Sequence, residues 1–134
     1  MTQLCKKILY VDDDSDDREI FYEAIKGHAP EADVVFAENG LQALDYLNET
    51  LTHHSDLPCL IVLDINMPYL DGKETFHRIK KDNRLQDVPV VIFTSSEKPS
   101  DKDLFIQLGT EFITKPNDYK YMHQIADHML AFCP

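Results

Sequence analysis

The chain has 134 residues, 43% of them hydrophobic and 28% charged, which is the size and composition of one soluble domain able to bury a core. Its net charge of −11 argues against direct nucleic-acid binding, because affinity for a phosphate backbone is largely cationic. No apolar stretch approaches the roughly 20 residues that span a bilayer, and the start, Met-Thr-Gln-Leu-Cys-Lys-Lys, lacks the apolar core of a signal peptide. A cytoplasmic, membrane-free protein is expected. Cys5, Cys59 and Cys133 are odd in number and widely spaced, without a metal-ligand pattern. None is assigned a role, and Cys59 is read as a small hydrophobe at the start of a strand.

The first apolar run, Ile8-Leu9-Tyr10-Val11, is a strand that ends in Asp12-Asp13. Ser15 can cap a helix whose Ile20, Phe21, Ala24 and Ile25 share a face, with Gly27 and Pro30 ending it. Val34-Val35-Phe36 is a short second strand. Asn39 caps a second helix marked by Leu41, Leu44 and Leu47, and the polar stretch from Thr50 to Pro58 is a loop. Within that loop, His53 and His54 alone make a poor chelate.

Leu60 to Asp64 forms the third strand, followed by a turn-rich segment and a helix through Phe76 and Ile79. Val90-Val91-Ile92-Phe93 leads into Thr94-Ser95, and a helix from about Ser100 to Leu108 stops at Gly109. Phe112-Ile113-Thr114 leads into Lys115-Pro116, before a last helix in which Met122, Ile125, Ala126 and Met129 repeat at helical spacing. Five βα units result, without linker or repeat, over residues 1–134. Strands apolar on both faces predict helices on both sides of a parallel, doubly wound α/β sheet.

In such a sheet all strand ends of one polarity share an edge, where ligands bind. Asp12, Asp13, Asp64, Thr94 and Lys115 would meet there. Each has an ordinary alternative. Asp12 and Asp13 suit helix caps, and Asp64 suits a loop that binds its own backbone. Thr94 can satisfy loop amides, and Lys115 can be a surface lysine. Together the alternatives require independent coincidences at four strand ends. Crowded carboxylates would take up a proton unless compensated, and Mg²⁺, a hard ion held by carboxylates, water and phosphate oxygens, compensates them. Asp64 could then attack a phosphoryl group, with Lys115 and Thr94 stabilising its oxygens.

The segments Val-Asp-Asp, Leu-Asp-Ile-Asn-Met-Pro-Tyr-Leu-Asp-Gly, Thr-Ser-Ser and Thr-Lys-Pro resemble the receiver domain of two-component response regulators, from Lys7 to the last helix. The resemblance implies a flavodoxin-like sheet of order 2-1-3-4-5 and makes Asp64 the acceptor of a phosphoryl group from a sensor histidine kinase or phosphotransfer protein. Asp13 becomes the direct ligand of Mg²⁺ (or Mn²⁺), Asp12 the acid on metal-bound water, and Asn66 the donor of a backbone carbonyl to the ion. Thr94 becomes the switch hydroxyl, Lys115 the phosphate-binding lysine and Phe112 the switch aromatic, with an ordinary core role for Phe112 as the alternative. Asn66 and Ser96 flank the site and tune hydrolysis. The family's Lys115–Pro116 bond is typically cis. No turnover beyond self-phosphorylation and autodephosphorylation is implied.

Helix four, strand five and helix five commonly form the output or dimerisation face of receivers. Leu104-Phe105-Ile106-Gln107-Leu108 is too apolar for one helix face to bury, so Phe105 or Ile106 is expected to join Tyr119 and Tyr121, on the last helix, in a partner surface. A stand-alone receiver is favoured over a fragment of a longer regulator. Two rivals share the architecture. A flavodoxin-like electron carrier would need a phosphate cradle after strand one, where this chain has Asp-Asp-Asp. A haloacid-dehalogenase-type phosphatase would need a second acid two residues after its nucleophile, where this chain has Asn66.

Overall fold

The computed structural model describes residues 6–133, and Cys5 lies outside them. Five parallel strands alternate with helices: β1 (Lys7–Val11), α1 (Ser15–His28), β2 (Asp33–Ala37), α2 (Gly40–Thr52), β3 (Leu60–Leu63), α3 (Gly72–Lys81), β4 (Val90–Thr94), α4 (Pro99–Gln107), β5 (Glu111–Thr114) and α5 (Met122–Leu130). The sheet order is β2-β1-β3-β4-β5, as the resemblance implied. Every pairing is parallel, so all five carboxyl ends share one edge. Among the described residues no helix is long and apolar enough to cross a membrane.

Two cores flank the sheet. On one face Ile8, Tyr10, Leu60, Val62 and Val91 pack against Phe21 and Ile25 of α1 and Met122, Ala126 and Met129 of α5. On the other, Leu9, Ile61, Leu63 and Ile92 pack against Leu47 of α2, Phe76 and Ile79 of α3, and Phe105 of α4. Strands β3 and β4 are buried along their whole length, whereas β2 and β5, at the edges, are only partly covered.

Local chemistry shifts several boundaries. The cap of α1 is Asp14, not Ser15: its carboxylate accepts from the amides of Asp16 and Asp17, leaving Ser15 in the first turn. The helix also runs past Gly27 to His28, because Ile25 and Ala24 stay buried in its last turns. Asn39 caps α2 as expected, accepting from the Gln42 amide at 2.9 Å. However, α2 continues to Thr52, shortening the predicted loop, and Leu41 is exposed rather than inward. Tyr119 and Tyr121 sit on a 3₁₀ turn (Tyr119–Tyr121) before α5, not on the helix itself. Gly109, with φ of 72°, ends the α4 segment in the left-handed region that a residue without Cβ enters freely.

Cys59 and Cys133 are paired as a disulfide across 74 residues, with Cα atoms 5.2 Å apart. Cys59 therefore does not serve merely as a packed hydrophobe. Parallel strand β3 begins beside the end of α5, which brings two cysteines of unrelated spacing together.

Candidate functional site

The site forms at the carboxyl edge, just beyond β1, β3, β4 and β5. Register is what assembles it. Val11 pairs with Leu63, so the next residues, Asp12 and Asp64, become neighbours. The Asp64 amide donates to the Val11 carbonyl at 3.0 Å, and the Asp12 amide to that of Ala37 at 3.0 Å. Thr94 pairs with Thr114, and the Lys115 amide donates to the Thr94 carbonyl at 2.8 Å, turning Lys115 over the edge toward β1 and β3.

Asp12 and Asp64 are buried and Asp13 is exposed, and one carboxylate oxygen from each lies within 4.8 Å of the others. Such a set of hard anionic oxygens with one open side fits a small divalent cation. The Lys115 ammonium reaches Asp12 at 2.7 Å, Asp17 at 2.8 Å and Asp64 at 3.2 Å. Burial disfavours its charge, but the bonds to Asp12 and Asp17 and the charge of Asp64 outweigh this and hold its pKa above the usual lysine value. Tyr10 donates its hydroxyl to Asp12 at 3.0 Å. Burial first, and the Asp12 carboxylate second, push the phenol well above its ordinary range, so it stays a donor.

Asp64 also accepts from the Ile65 amide at 2.7 Å, which fixes the carboxylate plane. Close approach of α3 makes this geometry achievable. A Cβ on Gly72 would fall onto the Asp64 carbonyl oxygen and lie 2.7 Å from the Ile65 Cα, so the first turn of α3 can press on the end of β3 only as glycine. Asp71 then caps α3, accepting from the Glu74 amide at 2.9 Å.

Thr94 is completely buried, its hydroxyl oxygen accepting from the Ser96 amide at 3.3 Å. Ser96 donates in turn to Asp101 at 2.7 Å, and Asp101 is ion-paired with Lys73 of α3 at 2.6 Å. The β4–α4 loop is thus wired to α3. Asn66 is exposed, two residues past Asp64. Phe112 is half-buried in β5, its ring 6.3 Å from that of Phe105. No peptide bond among the described residues is cis, so Lys115–Pro116 is trans, contrary to the expectation from resemblance; trans is the favoured form of an X–Pro bond by about 0.5–1 kcal/mol.

Two participants were not singled out from sequence. Asp17 shares Lys115 with the sheet-edge acids, and Tyr10 supports Asp12 from below. Asp17 lies in the first turn of α1, and the cap at Asp14 sets the direction of its side chain.

Residues 8–127 match the family model of the response regulator receiver domain. The chain belongs to that family. Response regulator Rcp1 of Synechocystis sp. (strain ATCC 27184 / PCC 6803 / Kazusa) is 29% identical over 129 residues, covering 95% of this chain and 88% of that protein. Among solved structures, the phosphorylated cyanobacterial phytochrome response regulator RcpA superposes with a TM-score of 0.86 at 30% identity, covering 96% of this chain and 94% of that one. The Mn²⁺-bound form of Rcp1 gives 0.83 at 29% identity, covering 95% and 93%. Receiver membership sets aside the electron-carrier and phosphatase rivals.

Proposed function

We propose that residues 1–134 act as one receiver that takes a phosphoryl group onto Asp64 from the phosphohistidine of a sensor kinase or phosphotransfer protein. The observation that carries this reading is the Lys115 ammonium held 3.2 Å from Asp64 across the sheet edge, beside the two further acids Asp12 and Asp13. Asp12, Asp13, Asp64 and the carbonyl of Asn66 are the residues that would hold Mg²⁺ or Mn²⁺. When bound, the ion neutralises phosphoryl oxygens and lets neighbouring carboxylates remain ionised together.

The chain's own groups account for the rest. The Asp64 carboxylate, oriented by the Ile65 amide, attacks phosphorus in line; the new O–P bond forms as the P–N bond breaks, and the leaving imidazole keeps the electron pair. Lys115 passes one of its three hydrogen bonds to a phosphoryl oxygen without leaving Asp12. The Thr94 hydroxyl, now only an acceptor for the Ser96 amide, supplies a second donor by moving toward the same oxygens. Phe112 then follows the space that Thr94 gives up.

Output through α4, β5 and α5 is supported by Ile106, Tyr119 and Tyr121, all exposed there, whereas Phe105 is buried. A partner protein or a second copy would bind that face; nucleic acid would not be contacted directly. A cytoplasmic location accords with a kinase partner, and in that reducing compartment Cys59 and Cys133 would stand as neighbouring thiols. Incubation with acetyl phosphate and Mg²⁺, followed by intact mass, is expected to add one phosphoryl group to the native chain and none to Asp64→Ala. An equal adduct on the variant would place the acceptor elsewhere.

A further inference from the structure

A groove of about 390 Å³ runs between α3 and α4, apart from the carboxylate edge. Its two walls differ in chemistry. Lys73, His77 and Lys80 line the α3 side at i, i+4 and i+7, which puts them in one stripe about 10 Å long. Leu104, Phe105 and Leu108 line the α4 side, where Leu104 and Leu108 are 39% and 55% exposed and one helical turn apart. An apolar stripe left in water beside two lysines and a histidine needs an explanation in a chain of net charge −11.

The basic wall is only partly neutralised from within. Lys73 is bound to Asp101 at 2.6 Å. Lys80 donates to the carbonyls of Gln86 and Val88 at 3.0 and 3.4 Å and feels Asp87 at longer range, while burial lowers its pKa. Neither Lys80 nor His77 has a carboxylate within ion-pair distance among the described residues. The stripes face one groove, joined at its floor by the Phe76 and Phe105 rings 5.3 Å apart, and each is set at helical repeat. An occupant whose acids and aliphatic side chains also repeat at i, i+4 and i+7 on adjoining faces would match both at once.

We propose that this α3–α4 groove docks an acidic amphipathic helix of a partner protein. Leucine-type side chains of the partner fill the groove against Leu104 and Leu108, and its carboxylates lie along Lys73, His77 and Lys80. The site is distinct from the α4–β5–α5 face, and it does not depend on Asp64 being the phosphoacceptor.

The test uses two fluorescein-labelled helical peptides that share one leucine stripe and differ in carrying glutamate or lysine beside it. Fluorescence anisotropy with the full chain is expected to show binding of the glutamate peptide, weakening as salt is raised, and little binding of the lysine peptide. His77→Glu combined with Leu108→Ser changes two exposed positions outside the carboxylate site, so circular dichroism and acetyl-phosphate labelling should stay unchanged. Affinity for the glutamate peptide should fall about tenfold or more. Asp64→Ala should bind it as the native chain does, which separates this proposal from the phosphoacceptor reading. Absence of binding, equal binding of both peptides, or undiminished binding by the double variant would overturn it.

Discussion

Lys115 is the residue that sets the acids of the site apart from one another. It lies 2.7 Å from Asp12, 2.8 Å from Asp17 and 3.2 Å from Asp64, while the exposed Asp13 is outside its contacts. Replacing it with an apolar residue of similar length removes a positive charge beside the candidate metal ligands. Lys115→Met is therefore expected to bind Mg²⁺ about tenfold more tightly by calorimetry, while accumulating less phosphoryl adduct. An unchanged Mg²⁺ affinity would mean that the lysine and the ion do not share the same oxygens. Asp12, Asp13, Asp64, Thr94 and Lys115 could be read from the chain because each stands at the end of an apolar run, and strand ends are easy to locate. Asp17 could not. Its direction depends on helix phase, and that phase is set by Asp14 capping where Ser15 was equally eligible.

At the scale of elements, α3 and α4 hold the site from outside. The first turn of α3 presses on the end of β3 through Gly72. Gly72→Ala should destabilise the fold by about 1–3 kcal/mol through overpacking, and it should slow acetyl-phosphate labelling, because relief of the clash must displace the Asp64 backbone. Urea unfolding and labelling rates check the two effects separately. Asp101 links the helices: the bond from Lys73, and then that from Ser96, hold its carboxyl below the usual aspartate pKa. A depressed folded-state pKa contributes stability that is present above the unfolded value near 4 and is lost as pH falls through the folded value. Asp101→Asn should therefore be less stable than the native chain at pH near 7, with the gap closing below about pH 4. A gap independent of pH would show that the ion pair contributes nothing. The core faces of α1, α3 and α5 were legible because their apolar residues recur at helical spacing. The orientation of α4 was not. Its apolar residues lie almost all round, so only packing against Phe76 and Phe112 selects Phe105 as the buried one and leaves Ile106 outside.

Over the whole molecule, alternation of apolar runs and helical periods was enough to give a doubly wound sheet, whereas strand order came from resemblance, since alternation alone is compatible with several orders. The Cys59–Cys133 pairing was invisible for a related reason: sequence spacing carries no information on which strand start lies under which helix end. A link closing so long a loop restricts the unfolded chain. Oxidised protein should lose about 2–4 kcal/mol of unfolding free energy when reductant is added, and Cys59→Ala should show no response to reductant. The molecule is also polarised. The disulfide joins the amino-terminal approach to β3 with the end of α5, and the carboxylates gather at the opposite edge of the sheet. At that edge the lysine already seated among three acids acts as a resident counter-ion. On the proposed reading, a cation entering the pocket would trade places with that ammonium, so that Asp12 and Asp64 would keep a positive partner before and after the exchange.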